Sequence, residues 1–443
     1  MSGAPPAATL PAPSGGMQGW LERAPAPVFA LYAGLMAFGT YFAMYAFRKP
    51  FAVASFAHVA PIGGGIVDYK IALVIAQVVG YALAKLIGVK VIAELPASRR
   101  ILGIAVQIAV AEAALVGFAL IPAPWNIACL FLDGLALGMV WGMVFGFVEG
   151  RRQSELIGAM LCASFILSSG VVKSVGAAVM LHGGVSQFWM PSVTGLIFTP
   201  LLLLCLAGLA VLPLPNAGDV AARVQRAPMN GPARARLLWR IGPGLIALIA
   251  IYIMLTALRD FRDNFAADIW VEQGLGGNAD IFAWTELPVG VVVLAAMASL
   301  ALVRDNGRAL AANFGLVGLG LAITGLASLA FSLHLIGAIG WMIALGGGLY
   351  LAYTPFNGLL FDRLVAVTGE IGNAGFLIYV ADSSGYAGSV ALLVAKNFGG
   401  LHLAWTHFLI DAGLGTCLVG LALLAVAAVY FRRHFAVTAL AAV

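Results

Sequence analysis

Residues 27–54, PVFALYAGLMAFGTYFAMYAFRKPFAVA, contain no charged residue before Arg48 and Lys49, and the chain becomes apolar again after them. The run is long enough to cross a bilayer, because a hydrocarbon core of about 30 Å needs about 20 helical residues. A cation at a helix centre costs about 2.5–3.5 kcal/mol on insertion scales, so it needs an anion, a carboxylate or water. The stretch therefore predicts a membrane helix with two functional cations near its far end. The alternative is that both side chains snorkel to the headgroups.

The remainder of the chain repeats this apolar pattern. Of the 443 residues, 62% are hydrophobic and only 10% are charged, and the mean hydropathy is +1.00. A soluble domain carries about a quarter charged residues, so this composition indicates an integral membrane protein. We predict an all-α fold with twelve transmembrane segments, at residues 27–56, 68–93, 101–121, 126–149, 156–181, 190–213, 241–266, 279–303, 309–334, 336–361, 373–396 and 404–431.

The arginines assign a side to each loop. They occur at alternate segment ends: Arg99, Arg100, Arg151, Arg152, Arg223, Arg226, Arg234, Arg236, Arg240, Arg304, Arg308, Arg363, Arg432 and Arg433. The loops between segments 3 and 4, 5 and 6, and 9 and 10 contain no Lys or Arg. By the positive-inside rule both termini are expected in the cytoplasm, and we expect a bacterial inner membrane as the location. The net charge of +5 then reflects topology, and we expect no nucleic-acid partner.

Twelve segments in two sets of six, joined by a basic loop, are typical of secondary transporters built from repeated halves. We predict two pseudo-symmetric six-helix bundles. The expected boundaries are a disordered cytoplasmic N-terminus at 1–24, the first bundle at 25–213, a basic cytoplasmic linker at 214–240, the second bundle at 241–433 and a tail at 434–443.

A short repeat supports the two halves. Segment 1 carries FRKPF at 47–51 and segment 7 carries FRDNF at 261–265, near the far end of the first helix of each half. In transporters of repeated halves, the substrate site lies near the membrane midplane between the repeats. We therefore expect Arg48 to face Arg262, or its neighbour Arg259 on the same helical face, across a central cavity.

Further motifs accompany this repeat. Tyr41 and Tyr45 precede Arg48 in segment 1, and segment 2 contains GYALAKLIG, with Tyr81 and Lys85. Segment 7 contains ALRDFRDNFAADIW, segment 10 contains YTP at 353–355 and segment 11 contains GYAGSVA at 385–391. Together these motifs resemble the organophosphate:phosphate antiporter branch of the major facilitator superfamily, the relatives of the glycerol-3-phosphate/phosphate exchanger, with this chain as a divergent member.

The resemblance implies the major facilitator fold and a positively charged central site that clamps a phosphate. Guanidinium forks make bidentate bonds to phosphate or carboxylate, a lysine adds a point charge and tyrosine hydroxyls donate without adding charge. Carried over to this sequence, the predicted substrate-binding residues are Arg48, Lys49, Arg259, Arg262, Lys85, Tyr41, Tyr45, Tyr81, Tyr353 and Tyr386.

Departures from the family pattern supply candidates for coupling or gating. The family's segment-5 histidine has no counterpart here, where the segment offers Ser164 and Lys173 instead. Asp260 and Asp263 alternate with the segment-7 arginines, which they could partly neutralise. Glu286 precedes Pro288 in segment 8. Asp382 lies within segment 11, where a membrane carboxylate is functional by default. It is either a coupling acid or the counter-ion of Lys85 or Lys173.

We therefore predict a secondary active transporter, and not an enzyme, that moves a small organophosphate- or phosphate-like anion by alternating access. The alternatives are a carboxylate or other organic-anion carrier coupled to protons, and, ranked lower, a membrane-embedded enzyme or a non-transporting sensor of the same fold. The expected partners are a small anionic solute, the lipid bilayer, and protons or phosphate as the coupling species. We expect a monomer without cofactor or metal.

Overall fold

The computed structural model describes residues 16–63, 67–94, 96–148, 154–213, 231–368, 374–398 and 404–435. Within these ranges the chain is built from α-helices. In the first half they are α1 (Gly16–Arg23), α2 (Ala26–Arg48), α3 (Tyr69–Glu94), α4 (Ala97–Leu120), α5 (Ile127–Leu137), α6 (Val140–Val148), α7 (Ser154–Leu181) and α8 (Met190–Ala210). In the second half they are α9 (Gly231–Asn264), α10 (Ala266–Glu272), α11 (Ile281–Ala301), α12 (Asn306–Ser332), α13 (Ala338–Asn357), α14 (Leu360–Thr368), α15 (Ala374–Phe398) and α16 (Trp405–Phe435).

The described residues contain 11 helices that are long and apolar enough to cross a membrane, with α5 and α6 counted as one span over Ile127–Val148. The predicted segment that is not counted among the 11 is the tenth, at residues 336–361, which corresponds to α13. It has 20 residues and no charge, but its glycines and tyrosines lower its mean hydropathy, and 13 of its residues are buried in the protein. The prediction of an all-α membrane protein with two six-helix bundles is confirmed, and the count of twelve nearly matches.

The first membrane helix ends earlier than the predicted limit at residue 56. Helix α2 stops at Arg48, Lys49 is its C-cap, and a 3₁₀ turn follows at Pro50–Val53. Pro50 has no backbone N–H to donate and its ring crowds the carbonyl of the preceding turn, so the helix breaks here although Lys49 keeps αR dihedral angles. The break leaves both cations inside the protein, because Arg48 is only 6% and Lys49 only 4% exposed.

Two predicted irregular segments are partly helical. Residues 16–23 of the predicted disordered N-terminus form α1, and residues 231–240 of the predicted linker form the start of α9. Residues 1–15, 214–230 and 436–443 lie outside the described residues. The domain boundaries and the cytoplasmic orientation of the termini stay predictions.

The two bundles meet along helices α3 and α15 on one side and α7 and α11 on the other. Successive spans run in opposite directions. One end of the bundle, at which α2 and α9 end and α3 and α11 begin, is called the distal face below. The end at which α2 begins is called the terminal face. The functional residues lie along this junction between the halves.

Glycines allow close helix packing, as is usual in membrane bundles. Gly320 on α12 and Gly348 on α13 face one another so closely that a Cβ atom at Gly320 would lie 2.5 Å from the Gly348 carbonyl oxygen and from the Ala352 nitrogen. A Cβ atom at Gly315 on the same helix would meet nothing within 4 Å. Close contact between α12 and α13 therefore requires glycine at position 320, whereas position 315 has room for a larger side chain.

We expect Gly320→Ala to destabilise the protein by about 1–3 kcal/mol, because overpacking against backbone atoms forces the helices apart. Gly315→Ala is the matched control and should leave stability unchanged or raise it by up to about 1 kcal/mol, since alanine is the better helix former. The thermal unfolding midpoint in detergent measures both effects. Equal midpoints for the two variants would contradict this account of the α12–α13 contact.

Candidate solute-binding site at the junction of the halves

One face of α2 carries aromatic and cationic side chains at helical spacing. Tyr41, Tyr45 and Arg48 are four and three residues apart, so they project to the same side. The Tyr41 and Tyr45 rings pack edge to face with centroids 5.4 Å apart, and the Tyr41 hydroxyl lies 3.3 Å from that of Tyr81 in the middle of α3. The guanidinium carbon of Arg48 lies 3.8 Å from the centroid of the Tyr81 ring.

Among the buried cations that the structure describes, Arg48 is the one without a carboxylate partner. Among the described residues, no carboxylate oxygen lies within 4.0 Å of its side-chain nitrogens, and its Nε has no hydrogen-bond partner. Its carbonyl oxygen accepts a hydrogen bond from Gln77 Nε2 at 2.9 Å, and the same amide nitrogen donates to Asp133 at 2.7 Å. The backbone at the end of α2 is thus held in place while the guanidinium faces the tyrosines.

The second half presents Arg259 to the same space. Its guanidinium carbon lies 4.0 Å from the centroid of the Tyr353 ring, and its Nη2 is 2.7 Å from an Asp260 carboxylate oxygen. Asp260 also accepts a hydrogen bond from Ser389 on α15 at 2.8 Å. Arg259 and Arg48 therefore share an arrangement in which a guanidinium covers a tyrosine ring, a geometry that favours cation–π attraction.

Arg262 does not line this space. It is 1% exposed, its Nη1 lies 2.7 Å from Glu286 Oε1 and its Nη2 donates to the Met342 carbonyl oxygen at 2.8 Å. The FRKPF/FRDNF repeat pairs Arg48 with Arg262, but the side chain that lies opposite Arg48 belongs to Arg259, about one turn earlier. Glu286 on α11 accounts for this difference, since it holds Arg262 within the second half.

An ion pair between the halves lies beside the two arginines. Lys85 Nζ on α3 is 2.5 Å from Asp382 Oδ2 on α15. The other Asp382 oxygen accepts a hydrogen bond from the Tyr252 hydroxyl, which also contacts the Tyr353 hydroxyl at 3.0 Å. The Lys85 carbonyl oxygen accepts a second bond across the junction, from the Tyr379 hydroxyl.

These side chains surround a central cavity. Its volume of about 60 Å³ is enough for a few water molecules, since one water needs about 10–15 Å³ of such space. The lining residues are Tyr41, Tyr45, Arg48, Tyr81, Lys85, Trp141, Cys162, Phe165, Arg259, Tyr353, Asn357, Ile378, Asp382 and Tyr386. The protein is therefore in a closed conformation around a cationic, tyrosine-rich centre.

A second ionic cluster closes the distal face. Asp263 at the end of α9 is 2.5 Å from the ammonium groups of both Lys49 and Lys173, and it accepts a hydrogen bond from Ser169 at 2.5 Å. Lys49 also donates to Asn264 Oδ1 at 3.2 Å. Nearer the distal surface, Lys70 on α3 pairs with Asp268 on α10 at 2.6 Å. The first half supplies every lysine of this cluster, and the second half supplies both carboxylates.

The predicted site residues thus divide into two groups. Those that line the cavity are Arg48, Arg259, Lys85, Tyr41, Tyr45, Tyr81, Tyr353, Tyr386 and Asp382. Those that lie outside its lining, in buried ion pairs, are Lys49, Lys173, Asp260, Asp263, Arg262 and Glu286. Of the two counter-ions considered for Asp382, Lys85 is the one in contact. The binding and coupling roles of these residues stay predictions.

Several cavity residues were missed from the sequence. Asn357 lies four residues after Tyr353 on α13, so helical periodicity could have identified it. Tyr252 does not line the cavity but bonds to Asp382 and Asn357, and it lies seven residues before Arg259 on the same face of α9. Trp141, Cys162 and Phe165 carry no such signal, because aromatic and thiol groups are common throughout membrane helices. The Lys70–Asp268 pair was missed as well, since its members are 198 residues apart.

The fold is that of membrane transporters. A crystal structure of the peptide transporter POT, a mutant in complex with alafosfalin, matches with a TM-score of 0.61 and 16% identity, over 96% of this chain and 97% of that one. A POT family transporter in complex with a thioalcohol-conjugated peptide gives a TM-score of 0.56 and 12% identity, over 91% and 96%. Another, in complex with 5-aminolevulinic acid, gives 0.53 and 13%, over 89% and 95%. At these identities the likeness establishes the fold alone.

Residues 50–434 match the model of a family described as a family of unknown function, DUF5690, and the chain belongs to that family. A comparison with curated proteins gave no match. The structural neighbours bear out the expected transporter fold of the major facilitator type. They do not identify the organophosphate:phosphate antiporter branch.

We expect Asp263→Asn to open the distal face, because it leaves Lys49 and Lys173 buried without a carboxylate. Removing one partner of a buried ion pair costs about 3–5 kcal/mol. The cavity residue Cys162 can report the opening once Cys129, Cys205 and Cys417 are replaced by alanine. A membrane-impermeant thiol reagent, added separately to each side of reconstituted vesicles, should label Cys162 from the distal side at least tenfold faster in the variant.

The matched control is Asp280→Asn, which removes an exposed carboxylate at the start of α11 whose side chain makes no cap hydrogen bond. Cys162 in this variant should be labelled at the same rate as in the single-cysteine protein that keeps both Asp263 and Asp280. If Asp263→Asn labels at the same slow rate as this control, the distal cluster does not hold the face closed.

Proposed function

We propose that this protein is a secondary active transporter that moves a small anion by alternating access through the central cavity. The main support for this proposal is the position of two arginines. Arg48 from the first half and Arg259 from the second line the same buried cavity at the junction, and no described carboxylate lies within 4.0 Å of Arg48. A buried guanidinium without a counter-ion is costly, and an incoming anion would relieve that cost.

The cavity chemistry suits an anion with several acceptor oxygens. Arg48, Arg259 and Lys85 contribute three cations, while Asp260 and Asp382 offset two of them. The excess positive charge favours a negative solute. Guanidinium groups offer paired N–H donors to phosphate or carboxylate, and tyrosine hydroxyls add neutral donors around them.

Within this class we propose a phosphate or an organophosphate as the leading solute. The support is the resemblance of segments 1 and 2 to the organophosphate:phosphate antiporter branch, since Tyr45, Arg48, Tyr81 and Lys85 from those motifs all line the cavity. A carboxylate carrier coupled to protons is the second candidate. It is favoured by Asp382, a carboxyl group in the cavity wall that contacts Lys85 and Tyr252 and could exchange a proton during transport.

We also propose that the protein is not an enzyme. No histidine is among the described lining residues, and the polar groups of Tyr252, Lys85 and Asp382 bond to one another. Uptake into vesicles distinguishes the classes, because a carrier accumulates or exchanges a solute, an enzyme alters it chemically, and a sensor does neither.

Alternating access follows from the position of the site between the halves. A solute can shift the conformational equilibrium only by its difference in affinity between conformations. In the closed conformation Arg48 and Arg259 reach the cavity from opposite halves, whereas separation of the halves would leave the anion on one of them. Binding to both therefore favours closure around the solute.

The test is a thermal-shift screen of the purified protein with inorganic phosphate, phosphate esters, carboxylates and nucleotides. At a concentration of about 100 times Kd, a ligand stabilises the native state by about 2.7 kcal/mol. We expect Arg48→Gln and Arg259→Gln each to abolish the shift given by the best anion. Arg308→Gln, at an exposed arginine of α12, should retain the full shift.

Arg262→Gln separates binding from folding. This substitution leaves Glu286 buried without its partner, so it should lower the unfolding midpoint of the protein without ligand while retaining the anion-dependent shift. A shift that survives Arg48→Gln and Arg259→Gln but is lost in Arg262→Gln would place the anion elsewhere and refute the proposed site.

A further inference from the structure

The described helices are joined between the halves on both sides of the cavity. On the distal side, Asp263 binds Lys49 and Lys173. Towards the terminal face, Lys85 binds Asp382, and its carbonyl oxygen accepts a bond from Tyr379. The space left between the halves at the cavity is about 60 Å³. This conformation is therefore closed around groups that belong to the chain itself.

Two of the three cavity cations have a carboxylate partner within the chain. Lys85 is 2.5 Å from Asp382, and Arg259 is 2.7 Å from Asp260. The Arg48 guanidinium lies 3.8 Å from the Tyr81 ring centroid and 5.8 Å from that of Tyr45, so the negative faces of two aromatic rings lie near it. Closure of the halves thus brings together a cavity in which Lys85 and Arg259 have carboxylates of the chain, while Arg48 faces two tyrosine rings.

Counter-ions that belong to the chain affect one step of the transport cycle, the reorientation of the empty carrier after it has released its solute. A carrier whose cations are satisfied only by the solute cannot close without it, because unpaired buried charges are expensive. Such a carrier performs obligatory exchange. A carrier that supplies its own counter-ions can close in both the loaded and the unloaded form, and it can therefore produce net flux.

We infer that the Lys85–Asp382 ion pair acts as an internal counter-ion pair that lets the unloaded carrier close and reorient, so that the protein catalyses net flux and not obligatory exchange. This inference rests on the transport function proposed above, and it concerns the mode of transport at that same site. It sets the chain apart from the exchange that its resemblance to the antiporter branch implies.

The Lys85–Asp382 pair is the decisive one because it crosses the junction. Arg259 and Asp260 are adjacent in sequence and stay together when the halves separate. Lys85 on α3 and Asp382 on α15 can approach to 2.5 Å only when the halves are together. Their attraction therefore contributes specifically to the closed conformation. Replacing either residue removes an ion pair from that conformation and none from conformations in which the halves are apart.

The experiment compares two rates in proteoliposomes. Net flux is measured as uptake of labelled anion into vesicles without internal anion, and exchange is measured with the unlabelled anion inside. Inorganic phosphate is the first probe, followed by the anion that gives the largest thermal shift in the screen above. The wild type should show net flux. In Asp382→Asn the ratio of net flux to exchange should fall at least tenfold, because the solute can still neutralise Lys85 in the loaded form.

Three further variants make the result specific. Lys85→Met leaves Asp382 unpaired in both the loaded and the unloaded form, because an anionic solute cannot neutralise a carboxylate. It should therefore slow net flux and exchange together and keep their ratio within about threefold of the wild type. Asp382→Glu keeps the carboxylate and should restore the ratio to within about threefold of the wild type. Asp280→Asn removes an exposed carboxylate and should leave the ratio unchanged. Because each value is a ratio within one preparation, a lower yield of folded protein does not alter it.

The outcomes separate this inference from the proposed function. Exchange without net flux in the wild type would overturn the inference and leave the transporter proposal standing. An unchanged ratio in Asp382→Asn would overturn the role of the ion pair. Absence of both net flux and exchange for every anion that stabilises the protein would overturn the transport function, and the inference with it.

Discussion

The structure depends on lysines of the first half finding carboxylates in the second half. The described ion pairs across the junction are Lys49–Asp263, Lys173–Asp263, Lys70–Asp268 and Lys85–Asp382. Each ammonium lies in or beside a membrane helix, where an unpaired cation is costly. Hydrophobic burial alone gives little preference for one mutual orientation of two lipid-embedded bundles, since lipid tails are as apolar as leucine. The ion pairs therefore supply much of the orientation and bring the cavity residues together.

The charges are distributed unequally between the halves. Arg259 and Arg262 have their carboxylates within their own half, in Asp260 and Glu286, whereas Arg48 has no carboxylate within 4.0 Å in the described part of the chain. The positive charge available to a solute therefore belongs mainly to the first half. The second half contributes a shielded guanidinium, together with the hydroxyls of Tyr252 and Tyr353. An anion held in this way would remain with Arg48 when the halves separate.

Most of the fold could be predicted from the sequence, because a membrane span is a local property of about 20 residues. The end of α2 was misplaced because hydropathy continues past Pro50 while backbone geometry does not. The site was only partly predictable. The tyrosines and Arg48 share one helical face, which is a local signal, but the choice between Arg259 and Arg262 depends on Glu286 from another helix. Contacts such as Lys85–Asp382 join residues 297 positions apart and leave no local pattern.

The one-sided placement of the lysines also affects how the chain is made. The ribosome completes the first six spans before it reaches Asp263, Asp268 and Asp382, so during that interval Lys49, Lys70, Lys85 and Lys173 have none of their final partners. Domains generally fold in order of synthesis. Here, however, the lysines of the N-terminal bundle reach their carboxylates only when the seventh and eleventh spans and α10 have been made. The final packing of the first half therefore depends on synthesis of the second.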